Sequence, residues 1–320
     1  MRRLLSILCL GIALLTCCPL SAVTKRALVI GIGAYPAGGG WATINGDKDI
    51  PLVEDILLTN GFLPQDIVVL ANAQATALAI RNAFHRLIDQ AQPGDIVYVH
   101  FSGHGQQVTD LHGDEPDGLD EAWVPYDAQL AYVKGQYEGQ NHIIDDELNR
   151  YLHALRRRVG TTGKIIVIAD ACHSGDSTRG DDSDELNNDL SGNTSPAPIV
   201  IRGTADAFII PPTAATRPHS SPHAPATASP HTPATASPAT PTVAPIDWVL
   251  ISACKPYQSN REYQGHGSLT TALLGQKSNL STLSCTQLSD TLTAAFRSFR
   301  IYSQTPVIEL PSTPAPNTLF

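Results

Sequence analysis

The chain has 320 residues, with 21 Lys and Arg against 30 Asp and Glu and a formal net charge of −9. That balance excludes nucleic acid or an anionic membrane as the main partner, because both are held by patches of lysine and arginine. It suits calcium and basic substrates instead. Six cysteines at scattered positions do not describe a disulfide framework.

Arg2 and Arg3 precede an apolar run from Leu4 to Leu15, and Cys17, Cys18, Pro19, Leu20, Ser21 and Ala22 follow. Positive, then apolar, then small residues is the order of a secretory signal, so residues 1–22 read as one, with cleavage after Ala22. The apolar core is shorter than the ~20 residues that span a bilayer. A lipid anchor at Cys17 is the weaker alternative, since Thr16 fits poorly before a lipidated cysteine. Exported to the periplasm or secreted, the mature chain would keep only Cys172, Cys254 and Cys285. An odd number of cysteines leaves room for a free thiol even where bridges would survive.

Ala27 to Gly33 is an apolar run ending in glycines and predicts a buried strand. Gly31-Ile32-Gly33 lacks the third glycine of a dinucleotide-binding loop and has Pro36 in its place, which excludes that reading. Ile50, Leu52, Val53, Ile56, Leu57 and Leu58 recur at helical spacing up to Asn60-Gly61, a helix stop. Asp66 to Leu70 is a second short strand, Thr76 to Asp89 a second amphipathic helix, and Ile96 to Phe101 a third strand running into Ser102-Gly103-His104-Gly105. Ala122 to Asp127 is a short extended segment, and Ile144 to Arg158 a helix. Lys164 to Ala169 is a fourth strand, ending in Asp170-Ala171-Cys172-His173-Ser174-Gly175. Strands alternating with helices predict an α/β fold: a three-layer sandwich whose mostly parallel central sheet carries helices on both faces.

Between about Asp176 and Pro245 the composition changes to acids and then to an imperfect repeat of Pro, His, Ala, Thr and Ser. Such a stretch cannot build a core and reads as an extended linker. Its histidines lie in the low-complexity run and give no metal-ligand spacing. Order resumes with a strand at Asp247 to Cys254, helices over Ser268 to Leu274 and Ser284 to Phe299, and an edge strand at Thr305 to Leu310. The expectation is therefore one domain over 23–320, with the 176–245 linker interrupting a single sheet.

Two strands end in groups able to do chemistry, His104 and Cys172. Neighbouring parallel strands would bring both to the carboxyl-end rim where open α/β sheets bind ligands. An imidazole or nearby amides favour the thiolate, the nucleophilic form of a cysteine. The amides of Gly105 and Cys172 are placed to bind a developing oxyanion, and His104 to protonate a leaving amine and then activate water. Zinc on Cys172 and His104 lacks two further ligands at sensible spacing. Cys254 reads as a small core residue.

Phe101-Ser102-Gly103-His104-Gly105 and Asp170-Ala171-Cys172-His173-Ser174-Gly175 resemble the two catalytic motifs of the caspase and metacaspase-like cysteine peptidases, the second being nearer the metacaspase form. The resemblance extends to Asn45-Gly46-Asp47-Lys48-Asp49, Asp117-Gly118-Leu119-Asp120-Glu121, Ile144-Asp145-Asp146-Glu147-Leu148 and Val249-Leu250-Ile251-Ser252-Ala253-Cys254. It covers nearly all of residues 25–310 except the linker. It implies a caspase-hemoglobinase fold and peptide hydrolysis through a thioester. It also implies a protein or peptide substrate with arginine, or secondly lysine, before the scissile bond, bound in an acidic pocket at Asp49, Ser102 and Asp170. No arginine stands at those positions, as an aspartate-specific pocket would require.

The resemblance further matches Asp120, Asp145 and Asp146 to calcium ligands, while no organic cofactor is implied. For Asp145 and Asp146 the plainer reading is charge at a helix N-terminus. Two alternatives stand beside the peptidase: a catalytically silent module that binds peptides or a partner protein, and a legumain-like or gingipain-like specificity on the same fold. Linker proteolysis after Arg179, Arg202 or Arg217 would leave two fragments held in one sheet.

Overall fold

The strands form because their apolar residues face both ways. In β1 (Lys25–Gly31), Ala27 and Val29 pack into one hydrophobic layer while Leu28 and Ile30 pack into the other. β7 (Lys164–Asp170) repeats this, with Ile166 and Ile168 on the first side and Ile165 and Val167 on the second. A strand buried on both faces needs such a continuous apolar run, and a parallel sheet covered by helices supplies the two faces. The computed structural model describes residues 23–172, 200–212, 246–311 and 317–320.

The remaining elements are α1 (Ile50–Thr59), β2 (Ile67–Ala71), α2 (Ala77–Gln90), β3 (Ile96–Ser102), β4 (Gly105–Thr109), β5 (Leu119–Trp123), β6 (Ile143–Ile144) and α3 (Asp145–Val159). After β7 come β8 (Val249–Ser252), β9 (Glu262–Tyr263), β10 (His266–Gly267), α4 (Ser268–Gly275), α5 (Cys285–Ser298) and β11 (Val307–Glu309). The main sheet runs β11-β8-β7-β3-β1-β2. All its pairs are parallel except β11 with β8. Helices α1, α4 and α5 cover one face through Val53, Ile56, Leu269, Leu292 and Phe296. Helices α2 and α3 cover the other through Ile80, Phe84, Leu152 and Leu155. The three-layer α/β sandwich expected from the strand-helix alternation is the observed architecture.

Local signals fix several boundaries. The Thr76 hydroxyl caps α2 by accepting from the Ala79 amide at 3.2 Å, worth about 1 kcal/mol. Ser284 and Gln287 form a reciprocal capping box at the start of α5. In α3, Asp145, Asp146 and Glu147 occupy the first turn and Arg156 to Arg158 the last, each charge complementing the helix dipole. Among the described residues no helix is long and apolar enough to cross a membrane.

Three features depart from the sequence expectations. The extended segment expected over 122–127 is β5, displaced toward the N-terminus, and it pairs with β4 and β6 in a small antiparallel sheet. β4 carries Gln106 and Gln107 within five residues, so its sequence has little apolar periodicity. The third concerns the interval 176–245, which is not linker throughout. Residues 200–212 pack onto the domain, with Arg202 and Phe208 buried, because Ile201, Arg202 and Phe208 find partners elsewhere in the fold. Phe208 joins the cluster of Trp41, Val108, Val124 and Tyr137. The signal segment, the His-containing repeat, Arg179, Arg217 and His173 lie outside the described residues.

Candidate active site

The order of strands around β1 and β3 sets the location. The chain leaves β1 through α1 on one face to β2, and returns through α2 on the other face to β3. A crevice opens beyond the carboxyl ends of the strands where connections diverge in this way. β3 and β7 are adjacent, with Ser102 opposite Asp170. Their last residues and the turns after them therefore meet at one rim, bringing together His104, Gly105, Cys172, Ser102 and Asp170. Asp49, in a tight turn leading into α1, joins them fully buried.

The His104 ring is held on three sides. It stacks on Trp41 with centroids 5.0 Å apart and lies 5.1 Å from the Tyr35 ring. Nε2 bonds the Ala42 carbonyl at 2.9 Å. A carbonyl can only accept, so Nε2 carries the proton and Nδ1 is the basic nitrogen, which has no partner among the described residues. Burial pushes the His104 pKa down to about 4, helped by the Arg202 charge, so the ring is neutral at pH 7. The Cys172 thiol, also buried, donates to the Gln258 carbonyl at 3.3 Å. Imidazole and thiol thus stand at one rim, with His104 Nδ1 unpartnered among the described residues. Among the described residues, Cys172, Cys254 and Cys285 form no disulfide.

The acidic pocket is built from several elements. The Ser102 hydroxyl donates to Asp49 Oδ2 at 2.5 Å, and the Gly267 amide donates to Asp49 Oδ1 at 3.0 Å. Asp170 accepts from Asn260 Nδ2 at 2.8 Å, the Thr270 amide at 2.8 Å and the Thr270 hydroxyl at 2.6 Å. Position 267 must be glycine, because a Cβ there would lie 2.1 Å from Asp170 Oδ2 and 2.7 Å from Arg202 Nη1. Asn260, Glu262, Gly267 and Thr270 shape the pocket yet escaped the sequence reading. Asn260 and Glu262 sit in a stretch of polar residues without periodicity, and Thr270 is one of the polar residues in a short, mostly apolar helix.

Arg202 fills this pocket from the chain's own interior. Its Nη1 lies 2.7 Å from Asp49 Oδ2, donates to Ser102 Oγ at 2.8 Å and is 3.6 Å from Asp170 Oδ1. Nε pairs with Glu262 Oε1 at 3.1 Å. Burial works against the guanidinium charge, but Asp49, Asp170 and Glu262 raise its pKa above the usual arginine value. Burial likewise works against the Asp49 carboxylate, and Arg202 holds its pKa below the usual range. The Arg202 carbonyl accepts from the Cys172 amide at 2.8 Å and lies 3.4 Å from the Gly105 amide. These are the two donors singled out for an oxyanion.

A second acidic group stands apart on β5 and the start of α3. Burial and the charges of Asp145, Asp110 and Asp146 raise the Asp120 pKa to about 7. Glu121 rises to about 7, and Asp145 to about 6, from burial and neighbouring carboxylates. Asp145 Oδ1 is buried without a hydrogen-bond partner among the described residues. Asp146 faces His112, 3.1 Å from its Nδ1. In charge and in the orphaned oxygen, these residues fit a hard divalent cation. Asp120, Asp145 and Asp146 do not converge as a tight trio: the described group whose ligand atoms all lie within 4.8 Å of one another is Asp110, His112 and Asp114.

A cavity of about 340 Å³ opens on the α2 and α3 face, lined by Phe84, Trp123, Trp248 and Cys254 among others. It contains neither His104 nor Cys172, and the acidic pocket is closed by Arg202.

Residues 25–179 match the family described as "Metacaspase, peptidase C14 domain". Metacaspase-1A of Aspergillus terreus is 36% identical over 159 residues, 47% of this chain and 36% of that relative. Metacaspase-1 of Mycosarcoma maydis is 38% identical over 159 residues, with the same 47% and 36% shares. The match thus spans about a third of the length of these curated relatives. The crystal structure of protein GSU0716 from Geobacter sulfurreducens is similar with a TM-score of 0.59 and 23% identity, covering 92% of this chain and 96% of that one. At that identity the likeness is one of fold.

Proposed function

We propose, on the match of residues 25–179 to the metacaspase, peptidase C14 domain, that the protein is a cysteine endopeptidase cleaving after arginine, and secondly lysine, through Cys172 and His104. One observation carries this reading. A guanidinium lies between Asp49 and Asp170 while the carbonyl of the same residue sits against the Cys172 and Gly105 amides. Pocket and oxyanion donors are therefore spaced to serve one residue of a peptide.

The chemistry begins when Cys172 leaves the Gln258 carbonyl and yields its proton to Nδ1 of His104. The thiolate attacks the carbonyl carbon, and the oxyanion is bound by the two amides. Such donors are each worth roughly 3 to 4 kcal/mol in acyl transfer. His104 then protonates the leaving amine, and a water activated by the neutral ring hydrolyses the thioester. The pocket selects a cation because Asp49 and Asp170 are desolvated acids that make charge-assisted hydrogen bonds only to a donor of opposite charge. Arg is preferred to Lys because Glu262 reaches Nε, an atom lysine lacks.

Calcium would be held by Asp120, Asp145 and Asp146, where its charge would offset repelling carboxylates. The order of residues 1–22 supports export, and the mature N-terminus of protein recovered from the periplasm or medium would test it. The closed pocket and the unpaired imidazole also suit a catalytically silent peptide-binding module. Purified protein and Cys172→Ala, incubated with peptides ending in Arg, Lys, Asp and Asn, with and without calcium, separate these readings. Hydrolysis after Arg by wild type alone is the expected result. Cleavage after Asp would refute the acidic-pocket argument, and peptide binding without hydrolysis would favour the silent module.

A further inference from the structure

One face of β3 is polar within an apolar layer. Tyr98, His100 and Ser102 alternate along the strand, so they share the face that α1 and α4 cover, and all three are buried. Across the sheet Ile166 and Ile168 stand beside Tyr98 and His100, and Val29, Ile251, Leu269 and Leu273 belong to the same layer. A hydroxyl and an imidazole placed there are costly unless they are hydrogen-bonded. From the bonds they make, we infer that His100 is a positioning residue for arginine selection, acting through Thr270 to hold the charge and orientation of Asp170. This rests on the acidic-pocket reading above.

Donor counting fixes where the protons lie. The Thr270 hydroxyl is 2.6 Å from Asp170 Oδ2 and 3.2 Å from His100 Nε2. A carboxylate only accepts, so the one hydroxyl proton goes to Asp170 and the hydroxyl oxygen accepts from Nε2. Nε2 therefore carries the imidazole proton, and the Tyr98 hydroxyl donates to the bare Nδ1 at 3.2 Å. Burial pushes the His100 pKa down to about 4, in keeping with a neutral ring that holds one proton. Every donor thus points the same way, from Tyr98 to His100 to Thr270 to Asp170, and bonds in such a chain polarise one another.

The two oxygens of Asp170 have separate tasks. Oδ2 takes both the hydroxyl and, at 2.8 Å, the amide of Thr270. That leaves Oδ1 toward the guanidinium, 3.6 Å from Arg202 Nη1, where it also accepts from Asn260 Nδ2 at 2.8 Å. Asn260 is oriented in turn by Gln304, whose Nε2 donates to Asn260 Oδ1 at 2.8 Å. Hydrogen bonds to the charged form of a buried acid favour that form. The Tyr98–His100–Thr270 chain therefore secures the charge from the side opposite the guanidinium. Apolar residues at 98, 100 and 270 would suit the layer better, so the polar atoms are explained by the acid on which they end.

The test is the ratio of kcat/KM on paired peptides with arginine or citrulline before the scissile bond, in full-length wild type and variants with calcium added. Both peptides must displace Arg202 and react at Cys172, so these contributions cancel in the ratio, and partial unfolding lowers both rates together. Thr270→Val should cut the arginine preference about 10-fold, the worth of a hydrogen bond to a charged group. His100→Leu should cut it about 5-fold, because the Thr270 hydroxyl stays but loses the donor behind it. His100→Gln, whose amide donates to Thr270 and accepts from Tyr98, should return it to within about 2-fold of wild type. Tyr98→Phe removes a single oxygen from an apolar layer and keeps the test in force if the larger changes do not fold; it should cut the preference about 2-fold. A wild-type preference that survives in every folded variant, or that His100→Gln fails to restore, would overturn the positioning role and spare the pocket reading. No hydrolysis by wild type, or equal rates on its two peptides, would overturn both.

Discussion

The protein buries two groups of acids that behave in opposite ways. At the pocket, Asp49 sits beside Arg202 and its pKa is held low. On β5 and α3, burial and neighbouring carboxylates raise the pKa values of Asp120, Glu121 and Asp145 to between about 6 and 7, with Asp145 acting on both of the others. Both groups are partly or wholly desolvated, so burial alone does not separate them. The difference is the counter-charge: the chain supplies a cation to the first group and leaves the second to be met from outside. Under the proposed function, the first set would exchange one guanidinium for another and the second would take up a metal ion.

The largest expected effect breaks the compensated group. Asp170→Asn should lower kcat/KM for Arg peptides by at least 100-fold. It should also destabilise the uncut chain by about 3 to 5 kcal/mol, because removing one partner leaves a buried charge poorly matched. Steady-state kinetics and urea unfolding of the Cys172→Ala background measure the two parts. In the uncompensated group the sign reverses. Asp145→Asn should stabilise the calcium-free protein by about 1 kcal/mol, since it removes a repelled carboxylate whose Oδ1 lacks a partner. It should also remove the gain in Tm that calcium gives wild type.

A pH series sharpens the comparison further. A carboxyl raised in the folded state loses its stabilising contribution as pH rises through the folded value. Without calcium, the Asp120 and Glu121 region should therefore weaken the fold as pH rises from about 4 to about 7. Asp49, held below the unfolded value, should contribute no change over that window. Burial sets the His100, His104 and His142 pKa values at about 4, which weakens the fold as pH falls below about 6.5. The effect is best read as wild type minus Glu121→Gln, a difference of a few degrees in Tm that calcium should erase.

His104, Cys172, Ser102 and Asp170 stood out because each ends or follows a strongly periodic strand, and strand order then brings them to one rim; Asp49, just before α1, was offered by the family resemblance alone. Arg202 was visible only as one of three candidate cleavage positions, with Arg179 and Arg217, in a segment rich in Pro, Thr and Asp. Its local signal is small: Val200 and Ile201, two β-branched residues, followed by arginine and glycine. What makes that signal matter is a long-range pairing with residues 260–262, which no local pattern encodes. β4 escaped for a related reason, because Gln106 and Gln107 leave it little apolar periodicity. The acid group near Asp120 was legible in composition, but repulsion within it depends on spatial approach.

The account's central claim is that two desolvated acids choose the bond by recognising a charge. The direct measurement is kcat/KM on paired peptides that differ only in arginine or citrulline before the scissile bond, since citrulline keeps the shape and loses the charge. The pocket predicts at least a 100-fold preference for arginine. Equal rates on the two peptides would contradict it.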